Sequence, residues 1–286
     1  MMRTMSELQP IEMPETLGVI AGLGTYPWQL ARSAHAQGVK RVVAFAFKGE
    51  TERTIKKYAD EVVWLHLGSL QALLDAVKAA GIAKIVMAGQ IKPTRLFTLR
   101  LDAKALSILR QLKKKNAHTI FGAIGDELKA VGAELMPADR FMETEMPAAG
   151  VLGARAPDER EQADIRLGAH AAKVTSGLEI GQTVVVKDGT ILAVEGFEGT
   201  DETILRAGRL GGAGAVVVKV AKRGHDMRFD IPIIGERTFQ MLKKAKASCL
   251  AVEAGRTILL AREKLVAEAD RLGLAFTAFD ASPAEP

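Results

Sequence analysis

The sequence has one cysteine, few aromatic residues and no long hydrophobic run. Cys249 alone excludes an intramolecular disulfide and a thiolate zinc site, and is typical of a reducing compartment. The 2 Trp, 2 Tyr and 10 Phe are not interleaved with basic residues as stacking on bases requires, so we expect no nucleic-acid partner. The chain begins without the apolar stretch of a secretory signal, and no uncharged apolar run approaches about 18 residues. We therefore expect a cytoplasmic protein.

Charge is nearly balanced, with a small excess of cations. Lysine and arginine total 39 against 34 aspartates and glutamates, which gives a formal net charge of +5 at pH 7. This excess favours an anionic partner, and phosphates on a small ligand fit it without nucleic acid. The 5 histidines include no i, i+4 pair, so the sequence predicts no histidine metal site.

The first half of the chain alternates short apolar runs with helical patterns. Strands are predicted at residues 17–21, 41–47, 62–67 and 84–88. Helical spacing of apolar residues separates the first strand from the second and the third from the fourth. Because such βαβ units build a parallel sheet, residues 1–136 are predicted to form an α/β, Rossmann-like doubly wound domain.

The composition changes at residue 137. Residues 137–158 are rich in Pro, Ala, Gly and Met without periodicity, which predicts an interdomain linker. Residues 159–286 then predict a distinct C-terminal α/β domain with a mixed sheet. It would contain a hairpin around Asp188-Gly189, further strands at 215–220, 249–252 and 257–260, and helices near both of its ends.

A glycine-rich turn joins the first predicted strand to the first predicted helix. Gly22 and Gly24 would let a ligand approach the backbone, and Thr25 and Tyr26 lie where helix N–H groups suit a phosphate. A purely structural tight turn explains the same residues. Lys48 follows the second strand, at the position where an NAD site needs an acidic residue. A lysine there could instead bind the 2′-phosphate of NADP, so an NADP-dependent oxidoreductase is an alternative.

Polar residues follow two other strands. Gln90 and Lys92 come after the fourth strand, at the edge where open α/β sheets bind ligands, although an ordinary loop has the same composition. Thr200 is placed to cap the helix after the hairpin, and is also a candidate to bind substrate. Glu195 and Glu198 precede that cap, so they are candidates for a divalent cation or a ligand hydroxyl.

The densest group of charged residues follows a buried strand at 215–220. Lys219, Lys222 and Arg228 are candidate catalytic cations, and Asp226 and Asp230 are candidate metal ligands. Hydrolysis of a phosphoanhydride requires such a mixture, because cations neutralise the phosphoryl oxygens while a carboxylate holds a metal or takes a proton from water. If residues 228–230 are extended, Arg228 and Asp230 share one face. A salt-bridged surface loop is the alternative.

Several segments together resemble the LpxI family of UDP-2,3-diacylglucosamine pyrophosphatases of lipid A biosynthesis. They are GVIAGLGTYPWQLA from Gly18, GQIKPTR from Gly89, VVVKDGTILAVEGFEGTDETILRAG from Val184, KVAKRGHDMRFDIPIIGERT from Lys219 and AVEAGRTILL from Ala251. The resemblance implies a Rossmann-like domain linked to a distinctive C-terminal domain, homodimers and a need for Mg²⁺. It also implies hydrolysis to UMP and 2,3-diacylglucosamine 1-phosphate (lipid X), with an essential aspartate at the position of Asp226.

A substrate of this kind is anionic at its head and apolar in its acyl chains. It would need cations near the phosphates and an apolar cleft, which we expect the space between the two domains to supply. Peripheral contact with the cytoplasmic face of the inner membrane is a further expectation. A non-catalytic sensor of nucleotide sugars or lipids would need the same pocket, so it remains an alternative to the hydrolase.

Overall fold

The computed structural model describes residues 13–91, 100–114, 116–222 and 226–280. The chain divides into two compact units, Met1–Pro137 and Ala138–Pro286. Within the described ranges, every helix is too short or too polar to cross a membrane.

Unit 1 is built on a five-stranded parallel sheet with the order β3-β2-β1-β4-β5. The strands are β1 Thr16–Ala21, β2 Arg41–Phe47, β3 Glu61–Leu65, β4 Lys84–Ala88 and β5 Glu134–Leu135. The helices are α1 Tyr26–Ala36, α2 Leu70–Ala79, α3 Ala103–Gln111 and α4 Ala117–Ala130, and Arg53–Lys57 form a 3-10 turn. This order is that of a Rossmann-like half, and it confirms the fold predicted for the N-terminal domain.

The central strands of unit 1 are almost entirely buried. After their first residue, β1 and β2 are buried throughout, with Val19, Val43 and Phe45 inaccessible to solvent. Continuous apolar strands of this kind are expected where helices cover both faces of a parallel sheet.

Unit 2 contains a six-stranded mixed sheet with the order β6-β13-β11-β9-β7-β8. Its strands are β6 Gly150–Val151, β7 Thr183–Lys187, β8 Thr190–Val194, β9 Val216–Lys219, β11 Cys249–Glu253 and β13 Ala275–Phe279. Strands β9, β11 and β13 pair in parallel, whereas β6, β7 and β8 pair antiparallel to their neighbours. A second, two-stranded parallel sheet joins β10 Ile233–Ile234 to β12 Ile258–Leu259. The predicted distinct C-terminal domain with a mixed sheet is therefore confirmed.

Helices cover both faces of the six-stranded sheet. They are α5 Glu159–Gly177, α6 Thr200–Gly211, α7 Glu236–Ala245 and α8 Arg262–Leu272. Val184 and Val218 pack with residues of α5, whereas Val185 and Val217 pack with residues of α6, α7 and α8. This division follows the alternation of side chains along a strand. The buried Cys249 begins β11 on the α5 side.

The segment 137–158, predicted as a linker, contains ordered elements in the structure. Phe141 and Met142 are buried, Glu143–Glu145 form a 3-10 turn, and β6 pairs with β13. Elements of two or three residues have no detectable hydrophobic period, so the composition gives no sign of them.

Candidate functional site

Four segments of unit 2 meet at the carboxyl end of β9. Lys219 is the last residue of β9, and in the sheet it lies opposite Val252 of β11 and Thr183 of β7. Because β7 runs antiparallel to β9, the loop that precedes β7 lies at this end, as does the loop that follows β8. The sheet thus gathers residues that are far apart in the sequence.

Lys219 is buried and held by two acceptors. Only 8% of the residue is exposed, and its Nζ donates to Thr200 Oγ1 at 3.0 Å and to the carbonyl of Ile233 at 3.3 Å. Burial lowers the pKa of this ammonium group, and the nearby carboxylates of Glu195 and Asp201 partly oppose that effect. A buried cation with few partners is suited to meet an anionic ligand.

Thr200 joins Lys219 to Glu195. The predicted cap of α6 is wrong by one residue, because Gly199, with a φ of 85°, takes the N-cap position and Thr200 is the first helical residue. The Thr200 hydroxyl, freed from capping, accepts from Lys219 and donates to Glu195 Oε1 at 3.0 Å.

The polar chain continues from Glu195 to Lys222. Glu195 Oε2 accepts from the backbone N–H of Gln182 at 3.2 Å, and Gln182 Nε2 donates to Asp230 Oδ1 at 2.8 Å. Asp230 Oδ2 lies 3.5 Å from Lys222 Nζ, which also contacts Glu179. One network is thus formed by Lys219, Thr200, Glu195, Gln182, Asp230 and Lys222. We call this the Lys219–Lys222 network.

Gln182 is a member of this network that sequence reasoning missed. The signal available in the sequence is the preceding Gly181, and the structure explains that glycine because a Cβ there would clash with the carbonyl oxygen of Glu195. A glycine that permits such a close approach, followed by a polar residue at a strand start, marks a tightly packed loop.

Asp226 and Arg228 form a bidentate ion pair. Arg228 Nε lies 2.9 Å from Asp226 Oδ1, and Nη2 lies 2.6 Å from Oδ2. The side chains are 21% and 38% exposed, so both are half-buried and accessible to a ligand. Residues 227–229 form a turn, and Asp230 N donates to the Asp226 carbonyl at 2.9 Å, so the extended arrangement considered for 228–230 is wrong.

Of the four predicted metal ligands, Asp226 lies at this turn, Glu195 and Asp230 belong to the network, and the carboxylate of Glu198 is engaged by residues of α6. Glu198 turns towards α6, where it accepts from Thr203 and from Arg206 at 2.7 Å. Burial raises the pKa of Glu198, but its hydrogen bonds and Arg206 outweigh this and hold the pKa below 4.5. Among the described residues, no three His, Cys, Asp or Glu side chains come together to hold a metal ion.

The donor set nevertheless fits magnesium bound together with a substrate. Mg²⁺ usually keeps several waters and is held by one or two carboxylates and substrate phosphates, not by a protein-only cage. Asp226 and Asp230, which are joined by the hydrogen bond from Asp230 N to the Asp226 carbonyl, stay the predicted carboxylates. The magnesium requirement stays a prediction.

In unit 1 the glycine-rich turn packs against the loop after β4. Leu23 N donates to the Gln90 carbonyl at 2.8 Å, and Gln90 N donates back to Leu23 at 3.1 Å. A Cβ on Gly22 would lie 2.9 Å from the Gln90 carbonyl oxygen, so this glycine allows two backbones to approach. The contact between the two backbones therefore explains why position 22 is glycine. This agrees with the interpretation of the segment as a structural tight turn.

The other predicted binding residues of unit 1 are Gly24, Thr25, Tyr26 and Lys92. Gly24 has a φ of 94°, which favours glycine, and the Thr25 hydroxyl accepts from Gln29 Nε2 at 3.0 Å. Tyr26 is buried, and Lys92 lies outside the described residues. A hollow of about 450 Å³ at the ends of β2 and β3 is lined by Lys48, among others.

Matches to known proteins cover nearly the whole chain. A model of the LpxI N-terminal domain matches residues 16–144, and a model of the LpxI C-terminal domain matches residues 148–277. A protein of Caulobacter vibrioides named UDP-2,3-diacylglucosamine pyrophosphatase LpxI is 31% identical over 273 residues, which cover 90% of this chain and 95% of that protein. With both domain models in order and a relative matched along almost its full length, this chain belongs to the LpxI family.

Proposed function

We propose that this protein hydrolyses UDP-2,3-diacylglucosamine to UMP and 2,3-diacylglucosamine 1-phosphate in lipid A biosynthesis, with Mg²⁺ as its cofactor. The observation that carries the proposal is the gathering of Lys219, Lys222 and the Asp226–Arg228 pair at one end of the unit 2 sheet. The name of the relative in Caulobacter vibrioides supports the choice of substrate.

The charges suit a diphosphate. Lys219 and Lys222 provide compact positive charges, and the guanidinium of Arg228 offers a planar fork that can bind a phosphoryl group bidentately. Asp226 holds one edge of that guanidinium in place, through hydrogen bonds from Nε and Nη2. A phosphoryl group bound by Arg228 would therefore lie beside a carboxylate, where a water molecule can be held by the same aspartate.

The reaction needs one water and no redox partner. The water oxygen bonds to one phosphorus, the bond from that phosphorus to the bridging oxygen breaks, and the water proton passes to Asp226 or to solvent. The cations neutralise the charge that develops on the phosphoryl oxygens. Magnesium would add to that neutralisation when bound at Asp226 and Asp230.

The direct test is release of UMP from UDP-2,3-diacylglucosamine in the presence of Mg²⁺. We expect turnover by the wild-type protein and a loss of about 100-fold or more in Asp226→Asn, because the amide cannot accept a proton or hold the metal as a carboxylate does. Asp188→Asn is a matched control, since Asp188 lies in the β7–β8 turn at the opposite end of the sheet.

The outcomes separate the alternatives. An active Asp226→Asn variant would remove Asp226 from the mechanism, and an inactive wild-type protein would refute the hydrolase. Ligand-dependent thermal stabilisation without product would instead favour a sensor, and a change in nicotinamide absorbance an oxidoreductase. Activity that survives EDTA treatment would contradict the magnesium requirement.

A further inference from the structure

A buried ion pair lies beside the segment that carries the candidate catalytic residues. Glu253, the last residue of β11, is 3% exposed, and Lys173 projects from α5. Lys173 Nζ lies 2.8 Å from Oε1 and 2.6 Å from Oε2 of Glu253. Because the desolvation of two charges offsets their attraction, such a pair is not explained by stability alone.

Both members of the pair also bind the backbone of Ala221. The N–H of Ala221 donates to Glu253 Oε2 at 2.7 Å, and Lys173 Nζ donates to the Ala221 carbonyl at 2.8 Å. Ala221 lies just past the end of β9, where the chain leaves the sheet. The pair therefore satisfies both polar groups of one residue, as a neighbouring strand would do within a sheet.

Helix α5 lies close enough to the sheet for this contact because its facing residues are small. A Cβ on Gly168 would lie 2.6 Å from Val218 Cγ2, and Ala172 is fully buried. Lys173 follows Ala172 directly, so the close packing of the helix delivers its ammonium group to the carboxyl end of β9.

We propose that the Lys173–Glu253 pair positions the chain that leaves β9 for catalysis. It fixes the backbone of Ala221, and so the start of Lys222, which contacts Asp230 of the network. The chain further on is held separately, since Ile258 N donates to the Pro232 carbonyl at 2.9 Å beside the β10–β12 pair. Without the ion pair, Ala221 loses both of these backbone partners. Lys173 and Glu253 are positioning residues, which act through the groups that meet the substrate.

The test compares the double variant Lys173→Met/Glu253→Gln with the single variant Glu253→Gln. The double variant removes both charges at nearly constant volume, so it leaves no buried charge without a partner. Measurements are made where circular dichroism shows each variant to be folded. This inference rests on the proposed hydrolase function, so amide hydrogen exchange, which needs no substrate, is measured beside the kinetics.

We expect the double variant to lose about tenfold or more in kcat with little change in KM, because correctly placed groups act chiefly in the transition state. Peptides covering residues 220–230 should exchange about tenfold faster, while peptides from the centre of β11 keep their protection. Glu253→Gln should show a smaller effect on both, because its amide oxygen can still accept from Ala221.

Glu161→Gln is the matched control. It also breaks a buried ion pair of unit 2, with Arg155, but this pair lies beside Ser248, which precedes β11 at the opposite end of the sheet. It should lower the Tm without changing kcat or the exchange of residues 220–230. A folded double variant with wild-type kcat, or with unchanged exchange at 220–230, would overturn the proposal. Should the wild-type protein release no UMP, the hydrolase fails while the exchange result still decides whether the pair holds the segment.

Discussion

At the residue scale, the burial of the Lys219 ammonium group opposes stability. Its pKa is lowered by burial, against an ordinary value of 10.5 in the unfolded chain. Between these two pKa values the unfolded chain binds more protons, so stability rises with pH in that interval. The free energy cost of burying Lys219 is therefore full below its folded pKa and is lost as the pH approaches 10.5.

Replacement of this lysine should separate stability from activity. We expect Lys219→Met to lower UMP release by about 100-fold, as the loss of one group that stabilises a transition state does. The difference in Tm, variant minus wild type, should be largest near neutral pH and should decrease towards pH 10.5. Thermal melts over pH 7 to 10.5 check this, with Lys243→Met on the exposed side of α7 as the control. A difference in Tm that grows with pH would contradict the burial argument.

Arg228 should not tolerate its usual substitute. Its guanidinium donates to both carboxylate oxygens of Asp226 at once, which needs a planar fork that lysine lacks. We expect Arg228→Lys to lower kcat/KM by about tenfold or more, which corresponds to at least about 1.4 kcal/mol of transition-state stabilisation. Steady-state kinetics beside Arg271→Lys, an exposed arginine of α8, measures it. Equal kinetics for the two variants would show that the charge alone suffices.

The sequence could single out the charged residues of one short segment, but not pairs of residues that lie far apart in the chain. Asp226, Arg228 and Asp230 stand within five positions, so their density alone indicates chemistry. Lys173 and Glu253 stand 80 positions apart, and each is an ordinary surface-type residue in its own segment. Only the pairing of β9 with β11 and the packing of α5 bring these two together, and neither can be read from local composition.

At the scale of elements, the turn after β1 packs so closely against the loop after β4 that position 22 has no room for a side chain. We expect Gly22→Ala to destabilise unit 1 by about 1 to 3 kcal/mol, because the added methyl group meets the backbone of Gly89 and Gln90. Gly122→Ala on α4 is the control, since a Cβ there meets nothing within 4 Å, and alanine favours a helix by about 0.5 to 1 kcal/mol. Denaturant titration measures both. A neutral Gly22→Ala would mean that the two loops can move apart.

Helix α5 begins with a reciprocal cap whose strength should depend on pH. Glu161 N donates to Asp158 Oδ1, and Asp158 N donates to Glu161 Oε2 at 3.0 Å. Burial raises the pKa of Glu161, but hydrogen bonds from Arg155 and from the Asp158 backbone outweigh burial and hold the pKa below 4.5. The stability from Glu161 is therefore present above pH 4.5 and lost as the pH falls through the folded pKa.

This linkage predicts the behaviour of Glu161→Gln. At pH 7 the variant should be less stable by about 1 to 3 kcal/mol, a range reduced because Arg155 is partly exposed. The difference from wild type should shrink as the pH falls below 4.5. Thermal melts from pH 3 to 7 measure it, and Glu268→Gln, in an exposed pair on α8, should change stability little at any pH. A constant difference across this range would contradict the linkage.

Long elements were predictable, whereas most two-residue strands were not, the exception being β12 within the strand predicted at 257–260. The strands β1, β2, β4, β7 and β8 and helix α8 follow from apolar runs and periodicity. By contrast β5, β6 and β10 have two residues each, too few to show a period, and each forms through backbone pairing with a strand that is distant in the sequence. Thr200 was misplaced by one position, since Gly199 adopts the positive φ of the N-cap and the helix begins one residue earlier than predicted.

At the scale of the whole molecule, each sheet is completed within its own unit. We expect calorimetry to resolve two transitions, because each unit has its own core. Gly22→Ala should lower the temperature of one transition and Glu161→Gln that of the other. A single transition shifted equally by both substitutions would show that the units unfold together. The homodimer and the peripheral membrane contact stay predictions, which sedimentation with and without lipid vesicles would test.

The single thiol of the chain offers a way to assign those transitions. Cys249 is fully buried in β11, and burial raises the pKa of its thiol, so little thiolate is present at neutral pH. Alkylating reagents should therefore label native protein slowly, at the rate at which unit 2 opens, and unfolding of unit 1 should leave that rate unchanged. The alkylation rate of Cys249 therefore reports the opening of unit 2, without any engineered probe.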